Sequence, residues 1–194
     1  MKRTFVYFFK TLWLLFLPLS LHAETMQWTL DPQHTYVIWK INHLGFSSQI
    51  GKWYANGQLI LDEQKPQNSK VSATIQLTNL ITGIPELDKH LKSPLFFDVE
   101  KYPTATFVSD KVTPINKNSA SVHGLLTIHG VSKPITLQVT LNKVGKNPIN
   151  DKLTAGFTGK TVLKRSEFNM MTLLPDLSDE VSIEIGAEAY KNAQ

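Results

Sequence analysis

Ser121–Asn142 reads SVHGLLTIHGVSKPITLQVTLN. These are two alternating runs joined by a short polar link. With Gly130-Val131-Ser132-Lys133 as the connection, Ile128 faces Ile135, Leu126 faces Leu137, Gly124 faces Val139 and Val122 faces Leu141. On the other side, Thr127 pairs with Thr136 and His123 with Thr140. One face is apolar and the other polar. A slip of one residue would mix them, because strand side chains alternate with a period of two. The rest of the chain must cover the dry face.

The same alternation recurs to either side. Thr35–Ile41 gathers Val37, Trp39 and Ile41 on one face, and Gly51–Leu61 gathers Gly51, Trp53, Ala55, Gly57, Leu59 and Leu61. Val71–Leu77 aligns Val71, Ala73, Ile75 and Leu77. Thr104–Val112 is a strand in which Phe107 and Val108 compete for the inside, so its phase stays open. Leu153–Leu163 aligns Ala155, Phe157, Gly159 and Leu163, and the last run aligns Val181, Ile183, Ile185, Ala187 and Ala189. One helical signal interrupts at Ile84–Lys92, with Pro85 in the first turn, Leu87 and Leu91 four apart, and a Ser93-Pro94 stop. Leu95-Phe96-Phe97 follows as an apolar plug. Eight strands, one short helix and no strand–helix repeat predict an all-β chain. Strands of about ten residues favour a single eight-stranded antiparallel barrel over a two-sheet sandwich.

Met1–Ala23 has the pattern of an export leader: Lys2 and Arg3, the apolar run Leu12–Leu17, and Leu21-His22-Ala23 as a cleavage site. Lys10 and Pro18 leave the run too short to span a bilayer. The expectation is a signal peptide over residues 1–23, a barrel domain over 24–194 and a periplasmic location. The full chain carries a net charge of +4, to which Lys2, Arg3 and Lys10 contribute, so the mature chain is close to neutral. No basic run is interleaved with aromatics, which argues against a nucleic-acid partner. There is no cysteine. The domain therefore rests on its core without disulfides, and the leader has no lipobox.

An eight-stranded barrel is just wide enough to be filled by side chains or to hold one small ligand. Gly51, Ala55, Gly57, Ala73, Gly124, Ala155 and Gly159 all fall in the inward phase. They either leave an elongated apolar void or, for the glycines, mark bends where strands coil; residue type alone leaves both open. The candidate lining is Val37, Trp39, Ile41, Trp53, Leu59, Ala73, Ile75, Leu77, Gly124, Leu126, Leu137, Val139, Phe157, Ile183 and Ile185. Leu87, Leu91 and Phe96 are candidates for one end. Such a void suits a long apolar chain, held at roughly 0.8 kcal/mol per methylene.

Enzyme signals are sparse. His34 and His43 flank one strand, His90 lies beside Asp88 on the helix, and His123 and His129 fall on the outer face, six apart. A lipid hydrolase would need at least two of His34, His43 and His90 to converge. No catalytic residue, metal ligand or cofactor is assigned. An envelope interaction or stress-related module without a ligand would instead show an outer apolar patch including Ile38, Ile60 and Leu125.

Five segments, in order and spacing, resemble the YceI-like family of exported polyisoprenoid-binding proteins. They are LDPQHTYVIWKINHLGFS (Leu30–Ser47), GKWYANGQLILD (Gly51–Asp62), ELDKHLKSPLFFDVEKYPTATF (Glu86–Phe107), GLLTIHGVSKPITLQV (Gly124–Val139), and KRSEFNM (Lys164–Met170) with SDEVSIEIGAEA (Ser178–Ala189). Trp53 stands where the family commonly has Phe, and Asn169 where it has Gly; Asn tolerates a left-handed backbone. The resemblance implies a lipocalin-like barrel and a periplasmic carrier or store for an isoprenoid or fatty-chain lipid, such as a quinone or polyprenyl lipid. Such a carrier would contact envelope membranes transiently. Its oligomeric state stays open, a homodimer included.

Overall fold

Every alternating run forms a strand in the computed structural model, which describes residues 26–192. The leader expected over residues 1–23 lies outside them. The strands are β1 (Met26–Leu30), β2 (Tyr36–His43), β3 (Ser47–Leu61), β4 (Lys70–Gln76), β5 (Thr104–Pro114), β6 (Ser119–Ile128), β7 (Val131–Lys146), β8 (Leu153–Lys164) and β9 (Leu177–Lys191). The helix α1 spans Pro85–Lys92 between β4 and β5. All pairings are antiparallel, in the ring β3-β2-β9-β8-β7-β6-β5-β4, and β3 pairing with β4 closes it into an eight-staved barrel. This is the expected all-β architecture.

The ninth strand adds no stave. β1 and β2 run in line: β2 lies between Ser47–Tyr54 and Leu177–Gly186, and β1 between Gly57–Leu61 and Ala189–Lys191. The Asp31-Pro32 turn breaks them apart. Across the break, Asp31 N–H donates to Glu188 O at 2.8 Å, Thr35 Oγ1 to the same oxygen at 3.0 Å, and Ala55 N–H to Thr35 O at 2.9 Å.

The opening hairpin turns two residues earlier than expected. His129 and Gly130 form the turn, with φ of 53° and 73°, the double left-handed geometry that matches strand twist. Ile128 therefore faces Val131, Gly124 faces Ile135 and Val122 faces Leu137, a register displaced by four residues. An even displacement keeps every side chain on its face, so Val122, Leu126 and Leu137 are still buried. His129 is not a free outer residue. Its Nδ1–H donates to Phe168 O at 3.0 Å, and its ring meets Tyr102 edge-on at 4.9 Å. The open phase of β5 also has a cause. A bulge between Ser109 and Lys111 shifts the register, so Ala105, Phe107, Ser109 and then Val112 are the buried positions.

Strand direction gives the barrel two unlike ends. One carries the β2–β3 turn, α1, the β6–β7 turn and a 3-10 turn at Arg165–Phe168; the other carries the β3–β4, β5–β6 and β7–β8 loops. The first end is packed shut. Leu77, Leu80, Leu91 and Phe96 are buried there with Trp39, Ile41 and Trp53. Arg165 ties down the chain beside them: its Nε donates to Ser178 O, Nη1 to Met170 O and Thr172 O, and Nη2 to Leu177 O, at 2.7–2.9 Å. Burial pushes its pKa down and the Asp179 charge opposes that. Asp179 accepts both the N–H and the hydroxyl of Ser166 at 2.8 Å. Asn169 ends the turn at φ 61°, the left-handed conformation that asparagine tolerates.

Two stability predictions follow from these contacts. Arg165→Met strands four carbonyls at the closed end and should cost at least about 3 kcal/mol in denaturant unfolding, with Arg165→Lys recovering little of it. A Cβ on Gly124 would stand 2.7 Å from Phe107 Cζ and 2.8 Å from Ser109 Cα, and closer still to Val108 O, whereas one on Gly156 meets nothing within 4 Å. Gly124→Ala should therefore destabilise by about 2–4 kcal/mol and Gly156→Ala by less than about 0.5 kcal/mol.

Candidate functional site

The bore above the packed end is not filled. A cavity of about 290 Å³ runs from Trp53, Leu77 and Ala105 to the rim loops at Asp62–Lys70 and Pro114–Ser119. Trp53 forms part of its floor. The indole lies 6.2 Å from the Trp39 ring and meets Phe97 edge-on at 5.2 Å, with its N–H directed to Leu77 O at 3.4 Å. The wall above it is largely apolar. Val37, Ile75, Val139, Phe157, Ile183 and Ile185 all point inward yet remain only half-buried, because they face empty space instead of one another.

The anticipated lining divides. Val37, Trp53, Leu59, Ala73, Ile75, Leu77, Leu126, Leu137, Val139, Phe157, Ile183 and Ile185 lie on the cavity wall. Trp39, Ile41 and Gly124 do not. Trp39 and Ile41 belong to the packed end, where Leu91 and Phe96 are buried and Leu87 packs against them. Those three stand behind the floor and do not touch the cavity.

The small inward residues serve both purposes. Ala55, Ala73 and Gly159 border the cavity. Gly51 is overlaid by the Trp39 indole, whose Nε1 would lie 2.7 Å from an added Cβ. Gly57 admits the Ser72–Ala73 backbone, with Ala73 Cα 2.9 Å from such a Cβ. Gly124 admits the β5 backbone at the bulge, so it leaves no room for a ligand, and a leucine there would break the β5–β6 ladder before it reached the bore.

Several wall residues escaped the sequence pattern. Phe107 and Val112 were hidden by the bulge, which gives them opposite parity. Glu63, Lys70, Asn116, Lys117 and Asn118 border the opening on or beside loops, where no periodicity marks them. The β3–β4 rim is held by Asp62, which accepts Lys65 N–H at 2.8 Å, Asn68 Nδ2 at 3.0 Å and Gln64 N–H at 3.1 Å. Hydrogen bonds from Asn68 and the Lys65 N–H hold its carboxyl below the ordinary range.

The described histidines stay apart from the cavity wall. His34 pairs with Asp31 at 3.0 Å, His123 with Asp110 at 2.7 Å, and His90 packs edge-on against Phe96 at 5.0 Å. Among the described residues no group of three or more His, Asp or Glu is arranged to hold a metal ion. Of the outer apolar residues, Ile38 lies between Lys52 and Glu184, and Ile60 between Gln27 and Lys70. Leu125 lies between Val108 and Pro134. They occupy separate strands and do not meet in one patch.

Residues 28–189 match the YceI-like domain. A UPF0312 protein of Pseudomonas putida is 40% identical over 141 residues, covering 72% of this chain and 73% of that protein. Among solved structures, BcnA of Burkholderia cenocepacia superimposes with a TM-score of 0.74 at 26% identity, over 82% of this chain and 98% of that one. A polyisoprenoid-binding domain from Saccharophagus degradans superimposes with a TM-score of 0.69 over 86% and 99% of the two chains; at 12% identity that likeness is one of fold. With its barrel, its open bore and a family match spanning most of its length, the chain belongs to the YceI-like family.

Proposed function

We propose that this protein is a periplasmic binding protein that sequesters an isoprenoid or similar long-chain amphiphile in the barrel, with no catalytic role. The observation that carries this reading is the ring of half-buried inward apolar side chains around an open cavity. A core built only for stability would close such space, since interiors pack like organic crystals. The S. degradans domain of the same fold binds polyisoprenoid, which supports the choice of ligand class. The leader pattern at Met1–Ala23 supports export.

The magnitudes are adequate. A cavity of about 290 Å³ is at the small end of the range for ligand sites, about 300–1,000 Å³. Burying eight to ten methylenes in it yields on the order of 6–8 kcal/mol. That corresponds to roughly micromolar affinity before the cost of association is subtracted. A longer tail must displace half-buried wall side chains or trail out of the opening. The polar atoms of the head remain at the rim, because the wall is apolar apart from Thr35 and Thr161 and cannot replace their hydration.

Organic extraction of protein purified from its native periplasm, followed by mass spectrometry, should release a lipid with a long apolar tail; an empty extract overturns the reading. Val139 faces Gly159 across β7 and β8, so Val139→Trp places an indole in the void. The variant should fold with stability unchanged or raised by about 0.5–2 kcal/mol. Its extracted lipid should fall about tenfold or more, and unchanged lipid content in a folded variant would place the ligand elsewhere.

A further inference from the structure

Charge divides unevenly between the two ends of the barrel. The open end carries Lys65, Lys70, Lys117, Lys146, Lys152 and Lys191. Its carboxylates among the described residues are Asp62, Glu63 and Asp151, of which Asp62 is consumed by its own loop and Asp151 pairs with Lys146 at 2.9 Å. At the closed end cations are not in excess: Glu86 and Asp88 in α1, Asp98, Glu100, Glu167, Asp176, Asp179 and Glu180 stand with Lys89, Lys92, Lys101, Lys133, Lys164 and Arg165. The basic end is also the one where the cavity opens, and Lys70 and Lys117 border the opening itself.

Two loops of this basic end expose isoleucine at their tips. Ile115 lies two residues from Lys117 in the β5–β6 loop and is 59% exposed. Ile149 lies between Lys146 and Lys152 in the β7–β8 loop and is 93% exposed. Neither loop is left slack. Asn116 Oδ1 accepts Asn118 N–H at 2.9 Å, Asn147 Oδ1 accepts Ile149 N–H at 2.9 Å, and Asn150 Oδ1 accepts Lys152 N–H at 3.0 Å. Apolar tips held rigidly above a ring of lysines match the layering of an anionic bilayer, in which phosphates lie outside an acyl region.

We propose that the open end docks on an anionic phospholipid bilayer, with Ile115 and Ile149 entering the interface and the lysines lying over the phosphates. Docking in this pose sets the cavity opening against the acyl layer, so a lipid tail passes between membrane and bore without crossing water. The purpose of the docking rests on the lipid-carrier reading; the docking itself does not. The closed end also exposes apolar side chains, Phe46 at 89% with Leu44, Ile84, Leu95, Met171 and Leu173, but without an excess of cations around them and with the packed floor between them and the cavity.

Sedimentation of the mature chain with vesicles tests this. Binding is expected to vesicles of phosphatidylcholine with phosphatidylglycerol, to be lost at high salt, and to be weak on phosphatidylcholine alone. Lys65→Glu with Lys146→Glu should weaken binding about tenfold or more, Ile115→Ser with Ile149→Ser should reduce it further, and Phe46→Ser should leave it unchanged. Thermal unfolding of each variant reports whether it is folded. Equal binding to neutral vesicles, indifference to charge reversal, or loss on Phe46→Ser alone would each overturn the pose. A protein that takes up lipid from detergent solution yet ignores anionic vesicles overturns docking and spares the carrier reading. One that binds the vesicles but yields an empty extract does the reverse.

Discussion

The barrel depends on two places where one strand passes another too closely for a side chain. At Gly57 an added Cβ would lie 2.9 Å from Ala73 Cα, and at Gly124 2.8 Å from Ser109 Cα. These contacts lie on either side of the β4–β5 pair, one against β3 and the other against β6. Without them, β4 and β5 could not curl in to meet β3 and the ring would stay an open sheet with two unpaired edges. Closure therefore spends small residues on backbone proximity. The void comes from a different set, Ala55, Ala73 and Gly159, whose missing volume faces the axis.

Once the ring is closed, the two ends divide the work. The closed end is over-determined: an aromatic stack of Trp39, Trp53 and Phe97, a helix laid across it, and an arginine satisfying four carbonyls. Such a floor does not yield to a ligand pressing on it. The wall can. Val37, Ile75, Val139, Ile183 and Ile185 are aliphatic, half-buried and without side-chain hydrogen bonds to lose, so rotamer changes there cost little. Rigidity at one end and adaptability along the bore is the distribution that a receptor for a flexible tail requires.

Much of this was legible because strand side chains alternate with period two. Even a four-residue error in the central hairpin left Leu126 and Leu137 inside, since an even slip does not change faces. The place of the turn is not legible, because His129 takes a left-handed φ that glycine usually supplies, and no local signal marks a histidine for that role. β1 is not legible as a strand, because Pro32 cuts it from β2 and the continuity of the stave exists only through β3 and β9. Which glycines border space and which are filled could not be read at all. That depends on what stands opposite, the Trp39 ring for Gly51 and the β5 backbone for Gly124. The rim is beyond pattern for the same reason: its residues come from two loops brought together only by closure.

A bore shut at one end imposes a direction. An amphiphile enters tail first, because a wall that is apolar apart from Thr35 and Thr161 cannot replace the hydration of a polar head and the floor admits no passage. The volume then sets how much tail is sheltered. At about 290 Å³ the void accepts a short length of chain as it stands, and each further isoprene unit must push wall side chains aside or remain at the rim. The first segments thus gain full burial and later ones progressively less. Affinity should rise with tail length only until the bore is full, and a lipid longer than that leaves its head and proximal tail at the basic rim. Held in this way, a long-chain ligand stays within reach of whatever surface the rim meets, which suits transfer better than permanent storage.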